Sequence, residues 1–153
     1  MNQSNELVGN RRAYHDYEII EPFEAGIVLQ GTEIKSIRNH GASLQEAYVK
    51  VLSGEVWLVG STIAPYRFGN IHNHEEKRDR KLLMHKREIN RLKTAVQEKG
   101  LTIVPLSMYL SKGKIKVRIA IAKGKKNFDK RSDIKEKDEK KRMQQALKNS
   151  RYA

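Results

Sequence analysis

The sequence lacks cysteine, and this absence excludes several classes of protein at once. With no thiol among its 153 residues, the chain can form no disulfide, carry out no thiol catalysis and build no cysteine-type zinc site. It also lacks a phosphate-binding P-loop, a dinucleotide-binding glycine pattern and the metalloprotease and serine-hydrolase motifs. No apolar run is long enough to cross a membrane, and the N-terminus has no signal-peptide core. We therefore predict a cytoplasmic protein that is not an enzyme and uses no cofactor.

Acidic residues are scarce relative to basic ones. The chain has 31 Lys and Arg against 18 Asp and Glu, which gives a net charge of +13. The excess is concentrated at the C-terminus, where residues 123–153 contain 12 basic and 5 acidic side chains. Such a balance in a small chain favours a nucleic-acid partner. An anionic membrane surface is the main alternative, but no segment combines the basic face with a large apolar one.

The segment 114–122 alternates with a period of two, which is typical of a β-strand with one buried and one solvated face. The predicted solvated face is basic and consists of Lys114, Lys116 and Arg118. The predicted buried face consists of Ile115, Val117, Ile119 and Ile121. Large apolar residues become rare after Gly124. We therefore expect a folded body over residues 1–126 and a basic tail over 127–153 that cannot bury itself.

The remaining pattern predicts about six strands and two short helices. Besides 114–122, strands are expected at 17–23, 26–29, 43–52, 55–59 and 101–110, and 61–66 could continue the sheet. Pro22 suggests an edge position or a bend. The first helix should begin at Thr32 as N-cap, with Ile34 and Ile37 inward, and the second should span 85–99. Short strands joined by hairpin turns in a chain this small predict a mainly β protein, a closed or partly open barrel.

Basic and aromatic side chains interleave over residues 10–17, and RNA bases stack on aromatic and arginine planes while phosphates bind the charges. The candidate residues there are Asn10, Arg11, Arg12, Tyr14 and His15. The alternative is an ordinary approach to a strand with solvated arginines. In such a strand His15 and Asp16 would point to opposite faces and could not act as an acid–base pair.

Residues 67–81 are poor in apolar side chains and are predicted to form a long loop. The loop contains His72 and His74 with Glu75 and Glu76 nearby. This is a weak metal motif because no third ligand has a fixed spacing, so we predict no metal site. A metal-dependent nuclease built on His72, His74 and Glu75 is an alternative, and it would lose its activity in the presence of a chelator.

Four stretches, at 10–17, 23–38, 80–83 and 122–135, follow one another along nearly the whole chain, and the last reads AKGKKNFDKRSDIK. In this order they resemble the small protein B family, the bacterial tmRNA-binding proteins of trans-translation. The resemblance implies an oligonucleotide-binding (OB)-like antiparallel β-barrel with flanking helices, in agreement with the pattern above. It also implies a basic C-terminal tail that is disordered when free and helical on the ribosome.

The function that the resemblance implies is to hold the tRNA-like domain of tmRNA and deliver it to stalled ribosomes. The elongation factor that carries aminoacyl-tRNA would be part of the complex. The implied RNA-binding surface includes Glu24, Leu83 and Lys116, with Arg118 on the same basic face and residues 10–15 alongside. Glu24 would accept hydrogen bonds from base or 2′-OH donors, and Leu83 would offer an apolar surface to an unstacked base.

The implied tail would occupy the decoding centre and the empty mRNA channel, against small-subunit rRNA. Its residues would be Gly124, Lys125, Lys126, Phe128, Asp129, Lys130, Arg131, Lys140, Lys141, Arg142, Met143 and Leu147. Phe128 stands where relatives often have His or Tyr, so a stacking face is kept and a polar edge is lost. The alternative for the tail is a purely solubilising role. The alternative for the whole chain is a generic OB-fold protein for single-stranded nucleic acid, which would bind unrelated RNAs equally.

Overall fold

The structure is a computed structural model, and it describes residues 5–66, 73–125 and 141–142. Within these residues the chain forms nine strands and three helices. In chain order they are β1 (Glu6–Gly9), α1 (Arg11–Asp16), β2 (Tyr17–Ile27), α2 (Gly31–Arg38), β3 (Ala42–Ser43), β4 (Tyr48–Leu52), β5 (Glu55–Val59), β6 (Thr62–Ile63), β7 (Arg80–Leu83), α3 (Lys86–Lys99), β8 (Thr102–Ser111) and β9 (Lys114–Gly124). Most of the predicted tail, 127–140 and 143–153, lies outside the described residues.

Seven of the strands form one antiparallel sheet in the order β1-β8-β9-β2-β7-β5-β4, and β3 pairs with β6 in a second, two-stranded sheet. The large sheet curls so that β4, at one end, contacts β8, near the other. This confirms the predicted mainly β, antiparallel, barrel-like architecture. The number of strands exceeds the predicted six because β1, β3, β6 and β7 have only two to four residues, too few for hydrophobic periodicity to indicate.

The core lies inside the curl, and the alternation of β9 fills it as predicted. Ile115, Val117, Ile119 and Ile121 are all buried, with at most 8% of their surface exposed. Leu92 and Ala95 of α3 and Ile37 of α2 close the core from outside the sheet. Each buried Val, Leu or Ile contributes about 1.5–3 kcal/mol relative to an exposed one, so the core is the main source of stability.

The predicted hairpins and the second helix are confirmed. Ser53 and Gly54 join β4 to β5 with positive φ at both residues, and Lys112 and Gly113 do the same between β8 and β9. This is the geometry that a two-residue hairpin loop needs. The helix α3 ends at Gly100, which adopts the left-handed conformation with φ of 63°.

The strand β2 differs from the prediction. The two strands expected at 17–23 and 26–29 are one, because Glu24 and Ala25 stay in register with Arg118 and Val117 of β9. The strand contains a bulge between Ile19 and Glu21. Pro22 lies where β2 has β9 on one side and, in the described chain, no strand on the other. Its predicted edge position is therefore confirmed.

Residues 11–16 form α1, so the alternative of an ordinary approach to a strand is wrong. Asn10 caps the helix: its side-chain oxygen accepts from the backbone N–H of Ala13 at 3.3 Å. Ala13, on the buried face of α1, packs against a small apolar cluster on the outer face of the sheet. The cluster consists of Val104, Leu106, Ala120 and Ala122. The argument that His15 and Asp16 point apart is also wrong, since His15 Nδ1 lies 3.0 Å from Asp16 Oδ1.

The N-cap of α2 is Gln30 and not Thr32. Glu33 accepts a hydrogen bond from the backbone N–H of Gln30 at 2.8 Å and completes a capping box. The Thr32 hydroxyl instead contacts the His74 ring, 2.8 Å from Nδ1. Ile37 is buried as predicted, but Ile34 is 38% exposed and faces the surface.

The predicted 67–81 loop is shorter in the structure, because β7 begins at Arg80. A buried ion pair holds Arg80 in place. Arg80 and Glu33 both have fully buried side chains, and Arg80 Nε lies 2.6 Å from Glu33 Oε2. Arg78 Nη2 reaches the other carboxylate oxygen at 2.5 Å. The remaining Arg80 donors bind backbone carbonyls of Ser61, Arg78, Glu75 and Glu76. Arg80 therefore fixes residues 75–80 to α2 and positions the start of β7.

The charge of Glu33 is maintained by these contacts. Burial opposes ionisation and would raise the pKa of Glu33. Hydrogen bonds from the Gln30 N–H, Arg78 and Arg80 outweigh burial, so the pKa of Glu33 is lowered from its ordinary value. Burial also lowers the pKa of Arg80, while the contact with Glu33 opposes that change.

Within the described residues, no helix has the length and apolar character needed to cross a membrane.

Candidate nucleic-acid interface

The outer face of the large sheet carries one row of residues that crosses four strands. Tyr109 of β8 is the direct partner of Lys116 of β9, Lys116 is the partner of Gly26 of β2, and Gly26 is the partner of Leu83 of β7. Directly opposed residues in antiparallel strands share a face. Leu83 and Lys116, which are far apart in sequence, therefore lie on one surface.

A second row runs parallel to the first, two residues further along β9. It consists of Ser107, Arg118 and Glu24, again as direct cross-strand partners. Side chains two residues apart on a strand share a face. The predicted residues Glu24, Leu83, Lys116 and Arg118 are thus brought together, and we call this surface, with Tyr109, the outer-face site.

An acid, an aromatic ring and a base interact at the centre of this site. The Tyr109 hydroxyl donates a hydrogen bond to Glu24 Oε2. The Arg118 guanidinium lies over the Tyr109 ring, 6.0 Å from its centroid, within the range of a cation–π contact. Glu24 is exposed, whereas Tyr109 is only 4% exposed. Burial raises the pKa of Tyr109, and its hydrogen bond to Glu24 and the charge of Glu24 raise it further, against a smaller opposing effect of Arg118.

An open groove of about 320 Å³ lies beside Leu83, between α2 and the tip of the β8–β9 hairpin. Leu83 is 54% exposed. Gly26 forms part of the floor, where an added Cβ would lie 3.3 Å from Leu83 Cβ. The groove also includes Ile34, Arg38 and Lys114. An apolar floor with basic residues on its rim can hold a base and contact its phosphates.

A larger open groove, of about 1050 Å³, connects the outer-face site to α1. Its basic and aromatic lining residues are Arg11, Arg12, Tyr14 and Arg118. Arg11 and Arg12 are exposed, and Tyr14 is 53% exposed. Arg12 also forms an exposed ion pair with Asp16 at 3.4 Å. The basic surface therefore continues from β9 to the N-terminal helix, and the RNA contacts of residues 10–17 stay a prediction.

The family described as SmpB protein matches residues 7–149. This chain belongs to that family. The SsrA-binding protein of Protochlamydia amoebophila is 72% identical over 148 residues, which cover 97% of each chain. That of Chlamydia muridarum is 56% identical over 145 residues, covering 95% of this chain and 96% of its own.

A solved structure agrees with the SmpB assignment. The structure described as "tmRNA-SmpB: a journey to the center of the bacterial ribosome" has a TM-score of 0.66 and 47% sequence identity. The match covers 78% of this chain and 84% of that one. The fold and the family that the sequence segments indicated are thus both confirmed.

Asn10 has a structural role in this SmpB family member. It is 7% exposed, and its side-chain nitrogen donates to the carbonyls of Pro105 at 2.8 Å and Leu44 at 3.2 Å. Together with the capping bond to Ala13, these contacts engage both polar atoms of the amide. Asn10 therefore supports α1 from within, and its predicted contact with RNA stays a prediction.

Only four of the predicted tail residues lie in the described part of the chain. Gly124 ends β9, and Lys125 follows it on the folded body. The Lys125 backbone N–H donates to Asp16 O at 2.9 Å, and its Nζ lies 3.3 Å from Tyr14 O. Lys141 and Arg142 are exposed. Outside the described residues are Lys126, Phe128, Asp129, Lys130, Arg131, Lys140, Met143 and Leu147.

The His72–His74 motif is only partly described. His74 is buried, and both of its ring nitrogens have protein partners: Nε2 donates to Ile63 O at 2.9 Å, and Nδ1 lies 2.8 Å from the Thr32 hydroxyl. A carbonyl can only accept, so Nε2 carries a proton and Nδ1 accepts from Thr32 in the neutral ring. His74 therefore stabilises the contact between α2 and β6. His72 lies outside the described residues.

Three residues at the interface are not among the predicted site residues, namely Tyr109, Ile34 and Arg38. The sequence pattern includes Tyr109 only as part of the strand at 101–110, and it places Ile34 in the core. The position of Tyr109 could have been found by counting from the turn. If Lys112 and Gly113 form the loop, Ser111 pairs with Lys114, and Tyr109 must then face Lys116.

Proposed function

We propose that this chain binds the tRNA-like domain of tmRNA through the outer-face site and delivers it to stalled ribosomes. The observation that carries the proposal is the pair of cross-strand rows, which places Lys116, Arg118, Glu24 and Leu83 on one exposed surface. The names of the relatives support it, since they are called SsrA-binding proteins. So does the solved structure, which is of tmRNA-SmpB and the bacterial ribosome.

The chemistry of the site suits a folded RNA better than an arbitrary single strand. Lys116, Arg118 and the basic residues of α1 bind phosphates without reading sequence. Glu24 repels phosphates, so a carboxylate in their midst weakens binding to any RNA that offers it no hydrogen-bond donor. A base amino group or a 2′-OH held in place by RNA folding is such a donor. Leu83 and the neighbouring groove accommodate an unstacked base beside it.

The ribosomal part of the proposal concerns the tail. Residues after Lys125 would enter the decoding centre and the mRNA channel and contact small-subunit rRNA. Their charge supports this role, since residues 126–153 contain 10 basic and 5 acidic side chains. The elongation factor that carries aminoacyl-tRNA is proposed as a further member of the complex. The chain would act by binding and not by catalysis, in the cytoplasm where ribosomes work.

A comparison of two RNAs tests the proposal. The affinity of the full chain for the tRNA-like domain of tmRNA is measured beside that for an unstructured RNA of equal length, at the same ionic strength. We expect clear preference for the tRNA-like domain, and we expect Glu24→Ala to reduce that preference. Equal affinities in the unaltered protein would point to a generic single-strand binder and contradict the proposal.

A further inference from the structure

We infer that Tyr109 is a positioning residue for RNA recognition: its hydroxyl orients the Glu24 carboxylate so that one defined oxygen faces the RNA. The inference rests on the proposed function and goes beyond it. Glu24 is the acceptor in that proposal, but an exposed glutamate on a strand has several rotamers and two equivalent oxygens. Something must select one arrangement before binding.

The geometry of the pair provides this selection. Tyr109 and Glu24 lie on β8 and β2, on either side of β9, and the hydroxyl donates to Glu24 Oε2 across β9. Tyr109 is almost fully buried, so its ring cannot rotate out into the solvent. Oε2 is thus engaged by the protein, and Oε1 is the oxygen left to accept from a base N–H or a ribose 2′-OH. An acceptor fixed before binding loses less conformational entropy when the RNA arrives.

Two neighbouring groups keep Tyr109 in this role. The Arg118 guanidinium over the ring limits its movement from the solvent side. Lys116, the direct cross-strand partner of Tyr109, lies on the same face. Burial and the nearby Glu24 charge raise the pKa of the hydroxyl above its usual value, so it remains a donor at any pH at which RNA is stable.

The arrangement also explains why an acid is tolerated beside the cations of an RNA-binding surface, where Glu24 is the direct cross-strand partner of Arg118. A mobile Glu24 could present either oxygen in several directions and would not distinguish one RNA donor from another. Held by Tyr109, the carboxylate keeps its place in the row, and its remaining oxygen discriminates among RNAs. Tyr109 is therefore expected to influence specificity more than the electrostatic part of affinity.

The test is a double-mutant cycle on the full chain, with the tRNA-like domain of tmRNA as the probe and a same-length unstructured RNA beside it. Tyr109→Phe keeps the ring and removes the hydroxyl. We expect roughly a tenfold loss of affinity for the tRNA-like domain, the effect of a coupling of about 1.4 kcal/mol between contacting residues. The salt slope should not change, because no cation is removed. Affinity for the unstructured RNA should also stay the same.

The decisive arm is the same substitution in a Glu24→Ala background, where we expect no further loss. Tyr48→Phe is the matched control, since Tyr48 is exposed on β4, a strand that carries no residue of the outer-face site, and this variant should bind normally. Equal losses from Tyr109→Phe with and without Glu24 would overturn the inference, as would normal binding by Tyr109→Phe alone. Normal binding by Glu24→Ala alone would instead refute the proposed RNA site, and the inference with it. Melting curves of each variant show whether a loss reflects unfolding.

Discussion

Replacing Glu33 with glutamine should strongly destabilise the folded body. The substitution preserves the shape of the side chain but leaves Arg80, which is fully buried, without its counter-charge. Breaking one partner out of a buried ion pair costs about 3–5 kcal/mol. The penalty should lie within that range, because a glutamine can accept from one guanidinium but presents an N–H₂ to the other. Arg78, 2.5 Å from the second oxygen, is the group that would meet it.

The measurement is equilibrium unfolding in urea at pH 7, followed by circular dichroism. A typical domain has a stability of about 5–15 kcal/mol, so a loss of this size should shift the midpoint of unfolding to a much lower urea concentration. Glu55→Gln is the matched control: Glu55 pairs with Lys81 at 3.3 Å, but both side chains are more than 40% exposed. An exposed pair contributes only about 0–1 kcal/mol. Equal midpoints for the two variants would refute the assignment of Glu33 as a structural charge.

At low pH, the difference in the free energy of unfolding between the wild type and Glu33→Gln should become smaller. The pKa of Glu33 is lowered in the folded state, so its charge stabilises the fold at every pH above the unfolded value of about 4.3. That contribution is lost as the pH falls through the lower folded pKa. Glutamine does not titrate, so the variant has no such loss. Unfolding curves of the two proteins should therefore approach each other below about pH 4, and a constant difference down to pH 2 would contradict the linkage.

Three further predictions concern the interface and the two ends of the body. Lys116→Ala should weaken binding to the tRNA-like domain and lower the salt slope by about one, as one lost phosphate contact does, whereas Lys50→Ala on β4 should change neither. Asn10→Ala should lower the melting temperature, because a helix cap worth about 0.5–2 kcal/mol is lost together with the hydrogen bonds to Leu44 and Pro105; unchanged melting would mean that α1 needs no cap. Truncation after Phe128 should leave the melting temperature and RNA affinity intact while peptide tagging on stalled ribosomes is lost, and a large drop in stability would mean that the tail packs on the body.

Local pattern was sufficient for the elements whose signals lie within a few residues. The alternation of 114–122, the turns at Ser53-Gly54 and Lys112-Gly113 and the helix ended by Gly100 were all predicted correctly. The basic outer face of β9 followed from the same alternation. In each of these cases the residues that determine the structure are neighbours along the chain, so a short window contains the whole cause.

Several contacts that the sequence pattern could not indicate have a partner that is distant in sequence. Asn10 is buried with its amide nitrogen on the carbonyl of Pro105, 95 residues away, and Arg80 is buried because its counter-ion is Glu33, 47 residues away. Tyr109 could be placed opposite Lys116 by counting from the turn, but its bond to Glu24 spans 85 residues. The polar composition of residues 73–80 indicates a solvated loop, and the burial of Arg80 becomes evident only once its partner Glu33 is known. The positions of the site residues could thus be predicted, and the contacts that orient them could not.

The strand β9 connects the two functions proposed for the chain. Lys116 of the outer-face site lies near its start, and Gly124, after which the chain continues into the tail, lies at its end. At about 3.3 Å per residue, these points are roughly 26 Å apart. The backbone of Lys125 is fixed to Asp16 of α1 and its side chain contacts Tyr14, so Lys125 lies at a defined place on the body. A paired, central strand cannot stretch without breaking its ladders to β8 and β2. RNA bound beside Lys116 would therefore be held at a fixed distance from the origin of the tail. The proposed function requires such a distance, because the chain would place a tRNA-like molecule and a segment of its own in two sites of one ribosome.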